Sequence, residues 1–291
     1  MRDVLDELLV LLRLERIESL VFRGQSQDLG WGAIFGGQVL GQALSAAAQT
    51  VPPDRAVHSL HSYFLRQGDA ARPVVYTVDP VRDGASFATR RVVAVQGGQP
   101  IFVMSASFQV DEPGLEHADP MPDVPAPEGL LSELELARRA GDAIPPVFRA
   151  IALAPRPIEI RPVEPYNLLA PRPAPPHRRS WYRATGSLPD DPAVHRYLLA
   201  YASDFNFLIT AMFPHGVSWA TPGMQVTSLD HAMWFHRPFR MDEWLLYDVH
   251  SPFAGGARGL VRGAFYDQRG ERVATVVQEG LMRDRRGHTP G

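Results

Sequence analysis

Three polar side chains stand in apolar surroundings and are the residues best placed for chemistry. In "HRYLLAYASDFNFLITAM", Tyr197, Ala200, Tyr201, Asp204 and Leu208 fall on one helical stripe. Asp204 thus sits on an apolar face, where desolvation penalises its charged form. Two readings fit: a structural Asp bonded to nearby backbone, or an acid held for proton transfer. In "RVATVVQEGLM", alternation places Gln278 on the face of Ala274, Val276 and Gly280. In "MQVTSLDH" it places Ser228 with Met224, Val226 and Asp230. An acid, a hydroxyl and an amide from three elements can converge there on one water molecule.

A second candidate is "DLGWGAIFGGQVLGQALSAAAQ", residues 28–49. Its "GWGAIFG" misses the phosphate-cradling G-x-G-x-x-G by one residue. The preceding "FRGQSQDL" is too polar for the buried strand that a dinucleotide fold puts there. Gly36 and Gly37 read instead as a helix start lying against sheet backbone, with amides that also fit a substrate contact.

Composition removes whole classes of mechanism. The chain has no Cys, so thiolate nucleophiles and Cys-ligated metals are excluded. It also has no Lys, since all 29 basic residues are Arg, which excludes a Schiff-base or P-loop lysine. H-E-x-x-H and G-x-S-x-G are absent. A net charge of −3 without long basic runs makes no electrostatic case for a nucleic-acid partner. "RDRR" near the C-terminus reads as a solvated tail. No window approaches the roughly 20 apolar residues of a membrane span. The start, with Asp3, Asp6 and Glu7 between its leucines, reads as an amphipathic helix rather than a secretory signal. The C-terminal "GHTPG" carries no peroxisomal S-K-L. A cytoplasmic protein is expected.

The chain repeats itself. A helix at Gly36–Ala48 precedes "HSLHSYFLRQGD" and three strand-like runs, "PVVYTVDPV", "SFATRRVVAV" and "PIFVMSASFQV". A helix over Val194–Met212 precedes "QVTSLDHAMWFHRPF", then "EWLLYDVHS", "ARGLVRGAFYD" and "RVATVVQEGLM". Ser59–His61 and Ser228–Asp230 occupy matching places. The same order twice indicates an internal duplication. Each unit is one helix followed by an antiparallel meander that can curve around it. The expected architecture is α+β, a double hotdog. Its divisions are an N-terminal repeat (1–115), a connector with short helices (116–155) and a C-terminal repeat carrying the chemistry (156–291). The repeats are not equivalent: Ala106 stands at the place of Gln278, and the first helix has no acid near its start.

The stretches "FRGQS", "IFGGQVLGQAL", "HSLHSYFLRQGD", "RDGASFATRRV", "YASDFNFL", "DHAMWFHRPF" and "ARGLVRGAFYDQRG" resemble the acyl-CoA thioesterase II family along most of both halves. The resemblance implies hydrolysis of fatty acyl-CoA thioesters without a cofactor. The family's catalytic acid, hydroxyl and glutamine fall on Asp204, Ser228 and Gln278. The hydroxyl residue is Thr in the familiar pattern. Ser228 keeps the hydrogen-bonding group and loses the methyl that restricts the rotamer. The implied mechanism has no covalent intermediate: Asp204 orients or deprotonates a water held by Ser228 and Gln278.

Other residues have plainer readings. His58, His61, His231 and His236 lie beside aromatics and read as packing residues, with no metal site expected. His231 and Arg258 are further candidates for substrate contact. Arg82, Arg90 and Arg91 read as solvated strand residues or phosphate contacts. "PDDPAVH" at Pro189–His195 faintly matches a hydratase motif but fits a helix start, with Asp190 or Asp191 as cap and Pro192 in the first turn. A hotdog enoyl-CoA hydratase or dehydratase is therefore the alternative enzyme, and a non-catalytic acyl-binding module the alternative of another class. The partners expected are acyl-CoA and a second copy of the chain, as a dimer or tetramer.

Overall fold

The computed structural model describes residues 3–286. "GHTPG" lies outside them. Helix α1 (Val4–Leu12) buries Leu5, Leu8, Leu11 and Leu12 on one face. Then come β1 (Glu15–Glu18), β2 (Val21–Gly24), α2 (Gly36–Ala48), β3 (Arg55–Phe64), β4 (Val74–Asp83), β5 (Phe87–Gln96) and β6 (Gln99–Val110). The middle of the chain holds α3 (Glu133–Ala140) and α4 (Pro146–Ala152). The second half runs β7 (Ile158–Pro162), β8 (His177–Ala184), α5 (Pro192–Ser203), a 3-10 helix (Leu208–His215), β9 (Met224–Ser228), β10 (Asp230–Phe235), β11 (Leu245–Gly255), β12 (Arg258–Tyr266) and β13 (Arg272–Asp284).

The strands form one antiparallel sheet in the order β1-β2-β4-β5-β6-β3-β10-β13-β12-β11-β8-β7, with β9 also on β13. The two halves join along the β3–β10 seam, where Ala232 pairs with His61. Each half curves around its helix, and α2 packs against α5 in the interior. This is the double hotdog that the repeat predicts. Two hairpins, β1–β2 and β7–β8, have no counterpart in the sequence reading. Val21–Gly24 carries an exposed Arg23, and "HRRSWYRA" carries three arginines, of which Arg178 is buried along with Trp181.

The helices meet with almost no side chain between them. A Cβ on Gly37 would clash with the carbonyl oxygen of Tyr201, and one on Gly41 would lie 3.1 Å from that of Tyr197. Rising numbers on α2 meet falling numbers on α5, so the helices are antiparallel. The start of α2 therefore lies at the end of α5.

Three local expectations change. The second helix stops at Ser203 instead of running to Met212. Asn206 takes a left-handed φ of 56°, which Asn tolerates better than most residues, and this breaks the helix. The chain resumes as the 3-10 helix, seated on sheet glycines: a Cβ on Gly280 would overlap Leu208, and one on Gly259 would lie 2.6 Å from Ala211. "RDRR" is no free tail, because β13 runs to Asp284 and the Arg285 N–H donates to Gly223. Finally, Ser228 and Asp230 do not share a face. Between the pairs Ser228–Gly280 and Ala232–Val277, three residues oppose two. This bulge reverses the alternation, so that Ser228 and His231 both face inward. Asp230 seals it by accepting the Glu279 N–H at 2.8 Å.

The middle of the chain covers the outer sheet face of the second half. Met121, Val124 and Leu130 pack on Trp181, Trp244 and Leu246, and the Trp181 indole donates to Pro125. The short helices of this stretch are α3 and α4, and α3 opens with a Ser132–Glu135 capping box.

The closeness of α2 and α5 can be tested directly. Gly37→Ala forces methyl against backbone and is expected to cost roughly 1–3 kcal/mol or more, lowering the denaturant midpoint. Gly36→Ala meets only side chains, Asp204 and Phe64, and is expected to cost less. Equal midpoints for the two variants would contradict this packing.

Candidate active site

The start of α2 is built without a conventional cap. Phe35 is its N-cap residue and offers no side-chain hydrogen bond, so first-turn N–H groups are left for another partner. That partner is Asp204, the residue that ends α5. Its carboxylate accepts the Gly37 N–H and the Gln278 amide. Burial pushes the Asp204 carboxyl up to about 6, while these two hydrogen bonds pull the other way.

The turn that carries Asp204 is braced from behind. The Tyr247 hydroxyl donates to Ser203 O at 3.2 Å and the Tyr182 hydroxyl to Phe205 O at 3.1 Å, satisfying carbonyls at the helix end. Asn206 Nδ2 donates to Glu133 on α3 at 2.9 Å, and Arg178 donates to the same carboxylate oxygen at 3.0 Å. Glu133, Arg178 and Asn206 escape a reading of the sequence. Glu133 lies on an ordinary surface helix some seventy positions away, and the only local sign is an Asn inside the apolar "DFNFL".

The bulge supplies the other side of the site. Gln278 Nε2 donates to Ser228 Oγ at 2.7 Å. Asp204, Ser228 and Gln278 line the polar end of one cavity of about 360 Å³, beside Gly36. Apart from Asn206 and Thr227 its remaining wall is apolar and includes Phe207, Leu208, Met212, Trp219 and Val226. Trp31 closes over it edge-on to Trp219, at 5.1 Å between ring centroids. An acid, a hydroxyl and an amide at the end of an apolar slot can hold a water next to a carbonyl on an alkyl chain.

The other candidates lie elsewhere. Gly37 turns its amide to Asp204 rather than to the cavity. His231 has no solvent exposure and bonds Gln278 and Ser203. Arg258 is on the far face of the sheet, paired with Glu279 at 3.0 Å. His58 bonds Ser107, His61 stands edge-on to Trp234, and His236 bonds Thr275. Arg90 is buried against Thr50 and Asp83, and Arg91 pairs with Asp79.

The site can be set beside known proteins. The family model described as acyl-CoA thioesterase matches residues 149–281, and the one described as acyl-CoA thioesterase N-terminal domain matches residues 26–109. The chain is 42% identical to acyl-CoA thioesterase 2 of Haemophilus influenzae over 97% of its own length and 99% of that protein. The chain belongs to the acyl-CoA thioesterase family. It is also 44% identical to human acyl-coenzyme A thioesterase 8, over 94% of this chain and 87% of that one. The crystal structure of an acyl-CoA thioesterase II from Mycobacterium marinum, 44% identical, superposes with a TM-score of 0.79 over 97% of this chain and all of that one. In this thioesterase the two family regions meet at the cavity, one bringing the start of α2 and the other Asp204, Ser228 and Gln278.

The Asp204 environment makes a stability prediction. Its folded pKa lies above the unfolded value, so the unfolded chain loses its proton first as pH rises. Above about pH 6 the folded protein carries a penalty on the order of 2–3 kcal/mol. It is absent below the ordinary carboxylate range. Asp204→Asn is therefore expected to melt above wild type near pH 8 and level with it near pH 3.5. Identical melting curves at both pH values would rule out a desolvated carboxylate.

Proposed function

We propose that this acyl-CoA thioesterase cleaves fatty acyl-CoA to free fatty acid and CoA with a water held by Asp204, Ser228 and Gln278, and with no covalent intermediate. The observation that carries the reading is the Gln278–Ser228 hydrogen bond beside a desolvated Asp204 at the end of an apolar cavity. The water oxygen attacks the thioester carbonyl carbon and gives its proton to the Asp204 carboxylate. The C–S bond then breaks, and the departing CoA thiolate takes a proton back from Asp204. The Gly36 N–H, at the start of α2 where this residue borders the cavity, is offered to the oxyanion, since the Gly37 N–H meets Asp204 and the Gln38 N–H donates to Phe35 O. The acyl chain lies along Phe207, Leu208 and Val226. Hydrolysis in this form needs no cofactor.

Ser228 serves where a threonine is the familiar residue. Its hydroxyl accepts from Gln278, which leaves its own proton for the water. The hydratase alternative finds no support at the cavity. Asp191 caps α5 through Ala193, and His195 is buried with Nδ1 accepting from Met241 N at 3.0 Å. Neither lines the cavity. All three polar groups of the site are in place, which speaks against a non-catalytic acyl-binding module. The homo-oligomer expected of the chain, a dimer or tetramer, is open to light scattering. No helix among the described residues is long and apolar enough to cross a membrane.

The general base works only as the carboxylate. kcat/KM is therefore expected to rise with pH through a midpoint of about 6, as read by thiol release from acyl-CoA. Asp204→Asn is expected to lose about 10²- to 10⁴-fold in kcat and to flatten that limb. A folded Asp204→Asn enzyme turning over at the wild-type rate would remove Asp204 from the mechanism. Crotonyl-CoA hydration, followed at the enoyl chromophore, is expected to be undetectable.

A further inference from the structure

The ends of the Gln278 amide are chemically opposite, and hydrolysis as proposed uses only one orientation. Nε2 must face Asp204 and Ser228. Turned over, Oε1 would confront a carboxylate that only accepts hydrogen bonds. Neither the strand nor the shape of the side chain distinguishes the two, because the amide is nearly symmetric.

We infer that His231, as its Nδ1–H tautomer, holds Gln278 in the productive orientation and is a positioning residue for thioester hydrolysis. The inference rests on reading Asp204, Ser228 and Gln278 as the water-holding set. His231 Nδ1 lies 2.6 Å from Gln278 Oε1, and its Nε2 lies 2.9 Å from Ser203 Oγ. The ring has no solvent exposure, so no water offers a substitute partner. The backbone beneath it is fixed as well, since Ser62 Oγ on the seam strand of the first half donates to His231 O at 2.8 Å.

Counting protons closes the chain. Gln278 donates through Nε2 to Ser228 and Asp204, so Oε1 accepts. The donor to Oε1 is His231 Nδ1–H. Burial keeps the imidazole neutral by drawing its pKa down to about 4, so Nε2 is bare and needs a donor. Ser203 Oγ–H stands in that place, next in sequence to the proposed base. The reversed arrangement would put the proton on Nε2, send the Ser203 hydroxyl to Ala200 O at 2.9 Å and turn the amide over. It would leave two acceptors face to face at Asp204. The bulge makes the forward arrangement possible, because an unbroken strand would point His231 away from Gln278.

The tautomer is directly observable. Two-dimensional ¹H–¹⁵N spectra of the imidazoles near pH 8, with His231 assigned by its loss in a variant, are expected to show Nδ1 protonated and Nε2 bare. A His231 protonated on Nε2 overturns the inference. Kinetics test its consequence. His231→Leu removes the donor and is expected to lower kcat roughly 10- to 100-fold with KM little changed. His231→Asn places an amide N–H near the position of Nδ1 and is expected to recover most of the rate. His231→Gln reaches toward the position of Nε2 and is not. If the Leu variant does not fold, the Asn and Gln pair decides, and equal kcat in those two overturns the proposal. In the Gln278→Ala background, His231→Leu is expected to cause no further loss, and an additive loss overturns it. Gln278→Ala and Asp204→Asn separate the two levels. Wild-type turnover in both defeats the reading of the site itself. Their loss of turnover, with wild-type kcat in His231→Leu and His231→Gln, defeats only the role of His231.

Discussion

The site depends on two helices touching backbone to backbone. Gly37 and Gly41 leave no Cβ between α2 and the carbonyls of Tyr201 and Tyr197. Side chains at those positions would hold the axes further apart and lift the start of α2 off the end of α5. At this separation, an amide that α2 cannot satisfy itself comes within reach of a carboxylate that α5 has carried out of water. The helix gains a cap and the acid gains a donor. Gly37 thus couples packing to electrostatics. The same amide that completes the helix restrains the rise in the Asp204 pKa that burial imposes.

One inserted residue organises the opposite wall. Without the bulge between β9 and β10, Ser228 and His231 would point to opposite faces of the sheet. With it they flank Gln278, one at each end of its amide. The helix contact fixes the acid and the bulge fixes the amide. Because β10 also pairs with β3 along the seam, the bulge is registered against both halves. A buried polar network is stable only when every member is paired, and here the pairing runs from Asp204 through Gln278 and His231 to Ser203, which precedes Asp204 in the chain.

The duplication and the meanders were legible because turn glycines and alternating strands recur in the same order. Asp204, Ser228 and Gln278 were legible as polar residues on apolar faces. That signal needs only local periodicity, and it survived errors in the periodicity itself. Asp204 is at the end of a helix rather than inside one, and Asp230 lies across a bulge from Ser228. Both errors arise from departures that follow no local pattern: the left-handed Asn206, and an extra residue whose place is set by β13. Glu133 and Arg178 were hidden for another reason. Their role comes from contacts far along the chain, and each looks ordinary in its own segment. The glycines of "IFGGQVLGQAL" were legible as packing residues, but their partner is the backbone of α5 rather than the sheet, and the sequence says nothing of which carboxylate meets the freed amide.

The asymmetry of the repeats explains why two copies make one site. At the opposite ends of the same two helices the donors and acceptors are already used. The start of α5 is capped within its own segment, since Asp191 accepts from Ala193 and Pro192 has no N–H to offer. The end of α2 has no acid. Its Thr50 donates to Ala47 O and takes hydrogen bonds from the buried Arg90 guanidinium on both its hydroxyl and its carbonyl. Ala106 leaves the first half without an amide at the place of Gln278. An acid introduced at the end of α2 would meet a closed cap and a guanidinium rather than a free amide and a glutamine, and would be held as an ion pair instead of a raised-pKa base. The first half has therefore kept the helix start, and the second half the acid, the hydroxyl and the amide. Neither half alone supplies all the groups that line the cavity.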